Sequence, residues 1–121
     1  MKTTLWLYSF ALLSLTACET KENDIQRTTV QGNWALTYGE LNGQEAPALE
    51  KIYFTFTNDT LKTNFTASEQ DEITTYRISQ STLLQKTDEP IEYHILQLND
   101  TLMEMTTELR GFDFKLMLHK Q

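Results

Sequence analysis

One cysteine, two histidines and a scatter of carboxylates are the side chains that could do chemistry in this 121-residue sequence. A single cysteine, Cys18, excludes an internal disulfide and a cluster of thiolates around zinc. His94 and His119 stand in no frame that pairs an imidazole with a nucleophile. The chain also lacks Gly-x-Ser-x-Gly, a phosphate-cradling glycine loop and His-Glu-x-x-His. The neighbouring carboxylates Asp71-Glu72 and Asp88-Glu89 fall in stretches that read as solvated loops. The expectation is a protein that is not an enzyme, with no metal and no cofactor. Net charge is −7 and no Lys/Arg cluster stands out, so the footprint of a nucleic-acid binder is missing.

Cys18 has another use. Lys2 gives a positive start, and Leu5-Trp6-Leu7-Tyr8-Ser9-Phe10-Ala11-Leu12-Leu13-Ser14-Leu15 follows without a charge. The run is too short for the roughly 20 residues that span a bilayer, and has the anatomy of a cleaved, helical signal peptide. It ends in Leu15-Thr16-Ala17-Cys18, which resembles the bacterial lipobox. That resemblance implies cleavage before Cys18 and a diacylglycerol on its sulfur, because the thiolate alone is nucleophilic enough to form the thioether. Each buried CH₂ contributes about 0.8 kcal/mol, so two or three acyl chains hold where one would not. The organisation read here is a signal peptide over 1–17, a lipidated cysteine with a polar tether over 18–30, and one domain over 31–121. The acidic residues just after Cys18 resemble surface-export signals of lipoproteins in the Bacteroidota, and a solvated linker would look the same.

The elements that must position any site follow from a period of two. Ile52, Phe54 and Phe56 alternate with Tyr53, Thr55 and Thr57; Phe112, Phe114, Leu116 and Leu118 alternate with Asp113, Lys115, Met117 and His119. Strands are predicted near 33–38, 51–57, 60–65, 73–78, 82–86, 91–98, 101–107 and 111–119, spaced as in a meander or barrel. Asn58-Asp59 and Asn99-Asp100 read as two-residue turns, since both residue types tolerate left-handed angles. In the first hairpin Thr57 faces Thr60, Phe56 meets Leu61, Phe54 meets Thr63, and Ile52 meets Phe65, all large apolar groups on one face. In the second, one face carries His94, Leu96, Leu98, Met103 and Met105, and the other Tyr93, Ile95, Gln97, Leu102 and Glu104. Either choice aims a polar group, His94 or Glu104, inward.

Gln31-Gly32-Asn33-Trp34, opening the first strand of an eight-strand meander, resembles the Gly-x-Trp motif of the lipocalins. The likeness is greatest to small lipocalin-like lipoproteins of the Bacteroidota. It implies an all-β, antiparallel, up-and-down barrel of eight strands. It also implies a basic residue packed on the tryptophan, and barrel closure makes Lys120 the geometric candidate, ahead of Arg110. Gly32, Trp34 and Lys120 are thus the expected closing motif. The chain departs from full lipocalins in ending at Gln121 without a helix.

Strand parity then sorts the loops. Both termini and the turns near 58–59, 79–81 and 99–100 share one end; the loops 39–50, 66–72, 87–90 and 108–110 share the other. The second end is the mouth of a cup, with 39–50 as its lid, rimmed by acids that include Glu40, Glu69, Asp71, Glu72 and Glu108. A ligand there would touch Tyr38, Ile52, Phe65 and Phe112, with His94 or Glu104 deeper in. The interior of eight strands is either filled by side chains or holds one small ligand. Two functions follow: an outer-membrane, lipid-anchored carrier of a small hydrophobic or amphipathic molecule, or a solid-barrel envelope module acting through its loops. Asp59-Thr60-Leu61 and Asp100-Thr101-Leu102 also resemble an O-glycosylation motif of the Bacteroidota, although turn chemistry is the simpler reading of both.

Cys18→Ser is expected to abolish lipidation and leave the precursor uncleaved. Radiolabelled palmitate is the measurement, and label entering the mutant would exclude the lipobox.

Overall fold

The computed structural model describes residues 27–67 and 70–121; the leader, Cys18, the tether to residue 26, and Glu69 lie outside them. A single helical turn, α1 (Arg27–Val30), precedes β1 (Gly32–Leu41). A two-residue β2 (Gln44–Glu45) and a 3-10 turn (Pro47–Leu49) follow. Then come β3 (Tyr53–Thr57), β4 (Thr60–Ala67), β5 (Gln70–Ser79), β6 (Thr82–Gln85), β7 (Ile91–Leu98), β8 (Leu102–Leu109) and β9 (Phe112–Lys120). All belong to one antiparallel sheet in the order β2-β1-β3-β4-β5-β6-β7-β8-β9, and β1 pairs with β9 to close it. Since β2 is a spur on the end of β1, the wall is the expected eight-strand up-and-down barrel. The 39–50 loop is more structured than the sequence suggested. Its Asn42-Gly43 hairpin has φ of 51° and 84°, the signs of a type I′ turn, and continues the ladder for two residue pairs.

The first hairpin has the register read from its alternation: Thr57 opposite Thr60, Phe56 opposite Leu61, Phe54 opposite Thr63. Beyond it the expected Ile52–Phe65 pair does not form. The Asn64 side chain takes the place of the ladder, accepting from Tyr53 N at 3.0 Å and donating to Lys51 O at 3.0 Å.

The second hairpin corrects the sequence reading. Its connection is longer than Asn99-Asp100, because Asn99 Oδ1 accepts from Thr101 N and Leu102 N, and Leu98 pairs with Met103. A bulge between Ile95 and Gln97 then resets the alternation. Tyr93, Ile95, Met103, Met105 and Thr107 are buried, while His94 is exposed and Glu104 only half-buried. Neither polar group points inward, since the bulge lets both apolar sets face the core. A register shift between Leu36 and Tyr38 acts likewise on β1. Leu36 and Gly39 face in, and Tyr38 turns outward to donate its hydroxyl to Glu40 Oε2 at 2.8 Å.

Large side chains fill the lower barrel. Trp34, Phe54, Leu61, Leu83, Tyr93, Met103, Met105, Leu116 and Leu118 are almost wholly buried. Aromatic contacts run from Tyr76 to Phe56 (5.1 Å between ring centroids), Phe54 (6.4 Å), Phe65 (6.0 Å) and Phe114 (5.1 Å). Phe54 is their hub, with Tyr93 edge-on at 5.7 Å. Phe54→Ala is expected to cost about 3–5 kcal/mol, because no neighbour can collapse into a ring-sized void at the centre of the barrel. Thermal denaturation tests this, and an unchanged melting temperature would contradict the packing.

Candidate functional site

Two ends of the barrel differ in what they present. At the floor, Trp34 is buried and its Nε1–H donates to Val30 O at 2.7 Å, so the α1 turn plugs the barrel from below. Lys120, the ladder partner of Trp34, holds Nζ 5.0 Å from the ring centroid. Gly32 has φ of +122°, and a Cβ there would lie 3.4 Å from the Lys120 side chain. Any larger residue would be strained at that φ, whatever the room beside the lysine. Gln31 joins the floor to the first hairpin, accepting from Asn58 N at 2.6 Å and donating to Asn58 O at 3.0 Å. Arg110, the alternative basic residue, sits at the opposite end.

There the barrel opens into a recess of about 540 Å³, lined by Thr66, Glu72, Thr74, Lys86, Thr87, Asp88, Glu89, Ile91, Leu109 and Arg110. Local irregularity builds it. A register shift in β4 between Thr63 and Ala67 leaves both Phe65 and Thr66 buried. At the β8–β9 turn, Arg110 and Gly111 take φ of 55° and 82°, and the Arg110 guanidinium donates to Thr66 O at 2.7 Å across the mouth.

A directed chain of hydrogen bonds leads from the core to this recess. Tyr93 OH donates to Gln85 Oε1 at 2.7 Å, and Gln85 Nε2 donates to Thr66 Oγ1 at 3.2 Å. Thr66 Oγ1 in turn donates to Glu72 Oε1. Each group passes one hydrogen to the next, so the chain ends on a carboxylate acting as acceptor. Glu72 Oε2 accepts from no described residue. The arrangement suits an incoming donor or cation. Burial pushes the Tyr93 hydroxyl well above the usual phenol range, with the Glu72 charge adding to it. Tyr53, on the outer wall, is pushed up to about 12 by burial, then by its hydrogen bond to Asp71 and that group's charge.

None of the six residues expected to touch a ligand lines the mouth recess. Phe65 belongs to the aromatic core, and Ile52 packs half-buried beside it. Phe112 is exposed at the rim. Tyr38 faces outward, and Glu104 pairs with Lys115 on the outer wall at 3.2 Å. His94 borders an outer groove of about 670 Å³ shared with Leu84, Glu92, Thr106, Lys115 and Glu40. That groove is larger, but none of Tyr93, Gln85, Thr66 and Glu72 lines it, so the recess, which Thr66 and Glu72 do line, is the stronger candidate. Glu72 was expected at the acidic rim of the mouth, but Thr66, Gln85 and Tyr93 were not expected at a site. Their signal was parity: Gln85 falls two residues after buried Leu83, on the inward face. Among the described residues no group of three or more His, Cys, Asp or Glu side chains could hold a metal.

A family model described as a lipocalin-like domain matches residues 30–105. Among solved structures, the fold is similar to that of a lipocalin-like protein from Bacteroides uniformis ATCC 8492. The two are 10% identical, with a TM-score of 0.59 over 77% of this chain and 99% of that one. An uncharacterized protein from Bacteroides eggerthii DSM 20697 is 12% identical, with a TM-score of 0.53 over 75% of this chain and 98% of that one. No curated protein matches.

The raised Tyr93 hydroxyl makes stability depend on alkaline pH. Unfolded tyrosine loses its proton near pH 10 while folded Tyr93 keeps it, so the unfolded state binds fewer protons above that pH. Stability is present below about pH 10 and falls as pH rises, by about 1.4 kcal/mol per pH unit for this group. Tyr93→Phe is expected to shallow that fall, read as melting temperature from pH 9 to about 11.5. An unchanged pH profile would show that the hydroxyl is solvated.

Proposed function

The chain belongs to the lipocalin-like domain family, and on that premise we propose that it is a lipid-anchored, non-catalytic binding module of the bacterial envelope. Its recess takes a small amphipathic molecule with a hydrogen-bond donor or cationic head. The observation that carries this is the chain Tyr93–Gln85–Thr66–Glu72, which brings to an open pocket a carboxylate oxygen that no described residue bonds. The head meets Glu72, and the apolar part lies against Ile91 and Leu109. Arg110 narrows the opening and is itself held by Thr66 O.

The lipobox-like run Leu15 to Cys18 supports the anchor, and the acidic residues just after it support an outer-membrane location. The chain enters the barrel at its floor, through Val30 beneath Trp34, so the recess faces away from the bilayer. A second reading, a solid-barrel interaction module, draws on the filled lower interior, where most inward side chains leave no room for a ligand.

Octylammonium is the probe that separates the two. Titration followed by chemical shifts is expected to give saturable changes at Thr66, Gln85, Ile91 and Leu109, with the Trp34 indole unmoved. Glu72→Gln should weaken binding about tenfold, the loss of one charge-assisted contact. Shifts centred on Trp34 and the 58–59 turn would reverse the orientation, and no saturable shift would favour the solid module.

A further inference from the structure

Strand β5 has ten residues, but its neighbour β6 has four. Their pairing stops at Tyr76–Gln85, with one more bond from Lys86 N to Thr75 O. The chain then leaves the wall, and β5 continues toward Gln70 with β4 alone beside it. Main-chain groups alternate sides along an antiparallel strand. Tyr76 N donates to Asp59 O on the β4 side, and Thr75 O accepts on the β6 side. Asp71 and Ile73 therefore present their N–H and C=O to the β6 side, where no described residue bonds them. Ile73 is 66% exposed, the most open large apolar side chain among the described residues. The closed barrel thus keeps one short open edge beside its recess.

An added strand would meet distinct surfaces on its two faces. The residue opposite Ile73 points outward onto that side chain; its neighbour, opposite Glu72 or Thr74, points into the recess. We propose that the β5 edge binds an extended peptide as an extra strand, with a basic side chain entering against Glu72 and an apolar one covering Ile73. Charge decides between occupants. A second copy would set Asp71 and Glu72 of both chains against each other, each chain carrying −7, whereas a basic strand is attracted. The inward half of the proposal rests on the recess being a binding site; the main-chain half does not.

The test uses the full chain in detergent micelles and the capped pentapeptide Thr-Lys-Val-Lys-Thr, which pairs antiparallel to β5 with its valine opposite Ile73. Saturable downfield shifts and slowed exchange are expected at the amides of Asp71 and Ile73. Methylating the valine nitrogen, which faces the edge, should weaken binding by about tenfold or more. Ile73→Pro should do the same, since its N–H supports no bond of the fold; the methylated peptide gives the answer even if that variant misfolds. Glu72→Gln should weaken the lysine peptide and leave a Thr-Thr-Val-Thr-Thr peptide unaffected. No saturable binding, equal binding of the methylated peptide, or shifts at Ile73 that follow protein concentration alone would overturn the proposal. Octylammonium failing while the peptide still moves Ile73 would sink the small-ligand reading alone; the reverse result would sink the edge alone.

Discussion

Everything inside the barrel depends on the seam where β1 meets β9, from Trp34–Lys120 to Leu41–Phe114. Were it open, both strands would be edges and the inward rings would face water. The seam is built around one indole. Trp34 is buried, so its N–H requires an acceptor, and Val30 O supplies it. That fixes the α1 turn beneath the barrel. Lys120 covers the ring from the neighbouring strand, and its stem runs over Gly32, whose φ of +122° favours glycine. Glycine, tryptophan and lysine are thus three parts of one packing problem.

Much of this was legible before any coordinates. Alternation over 52–56 and 112–118 gives the strands, and Thr57 facing Thr60 sets the register through Phe54–Thr63. Closure of an even number of antiparallel strands brings Lys120 rather than Arg110 to Trp34. The misplaced residues share a physical cause. Tyr38, His94 and Glu104 all stand next to or across from an irregularity, at Leu36–Tyr38 or Ile95–Gln97. One inserted residue exchanges the two faces of a strand, and composition does not announce it. The conflict in the second hairpin, a polar group aimed inward whichever way it was turned, was the trace of such a bulge. The candidate site escaped notice for a different reason. Gln85 and Glu72 lie far apart in sequence, and only the fold shows that Thr66 joins them.

The interior is therefore divided by chemistry rather than by a wall. Below Phe54 the side chains are apolar and closely packed; above Tyr93, polar groups join Ile91 and Leu109 around an open recess. Tyr93 belongs to both parts, its ring against Phe54 and its hydroxyl on Gln85. Buried hydrogen bonds of this kind specify one arrangement, because any other leaves a polar atom unsatisfied. The rigidity of the recess is inherited from the core through that one residue.

The position of α1 has a mechanical consequence. A pull applied through the chain at Val30 and resisted at the mouth acts along β1, whose neighbours β3 and β9 run antiparallel to it on either side. Such a load shears many main-chain bonds together instead of peeling them one at a time. The Trp34 bond to Val30 O and the Gln31 clasp on Asn58 take the first strain, outside the sheet itself. The floor of this barrel is thus a strain relief, able to yield while the strands above it hold.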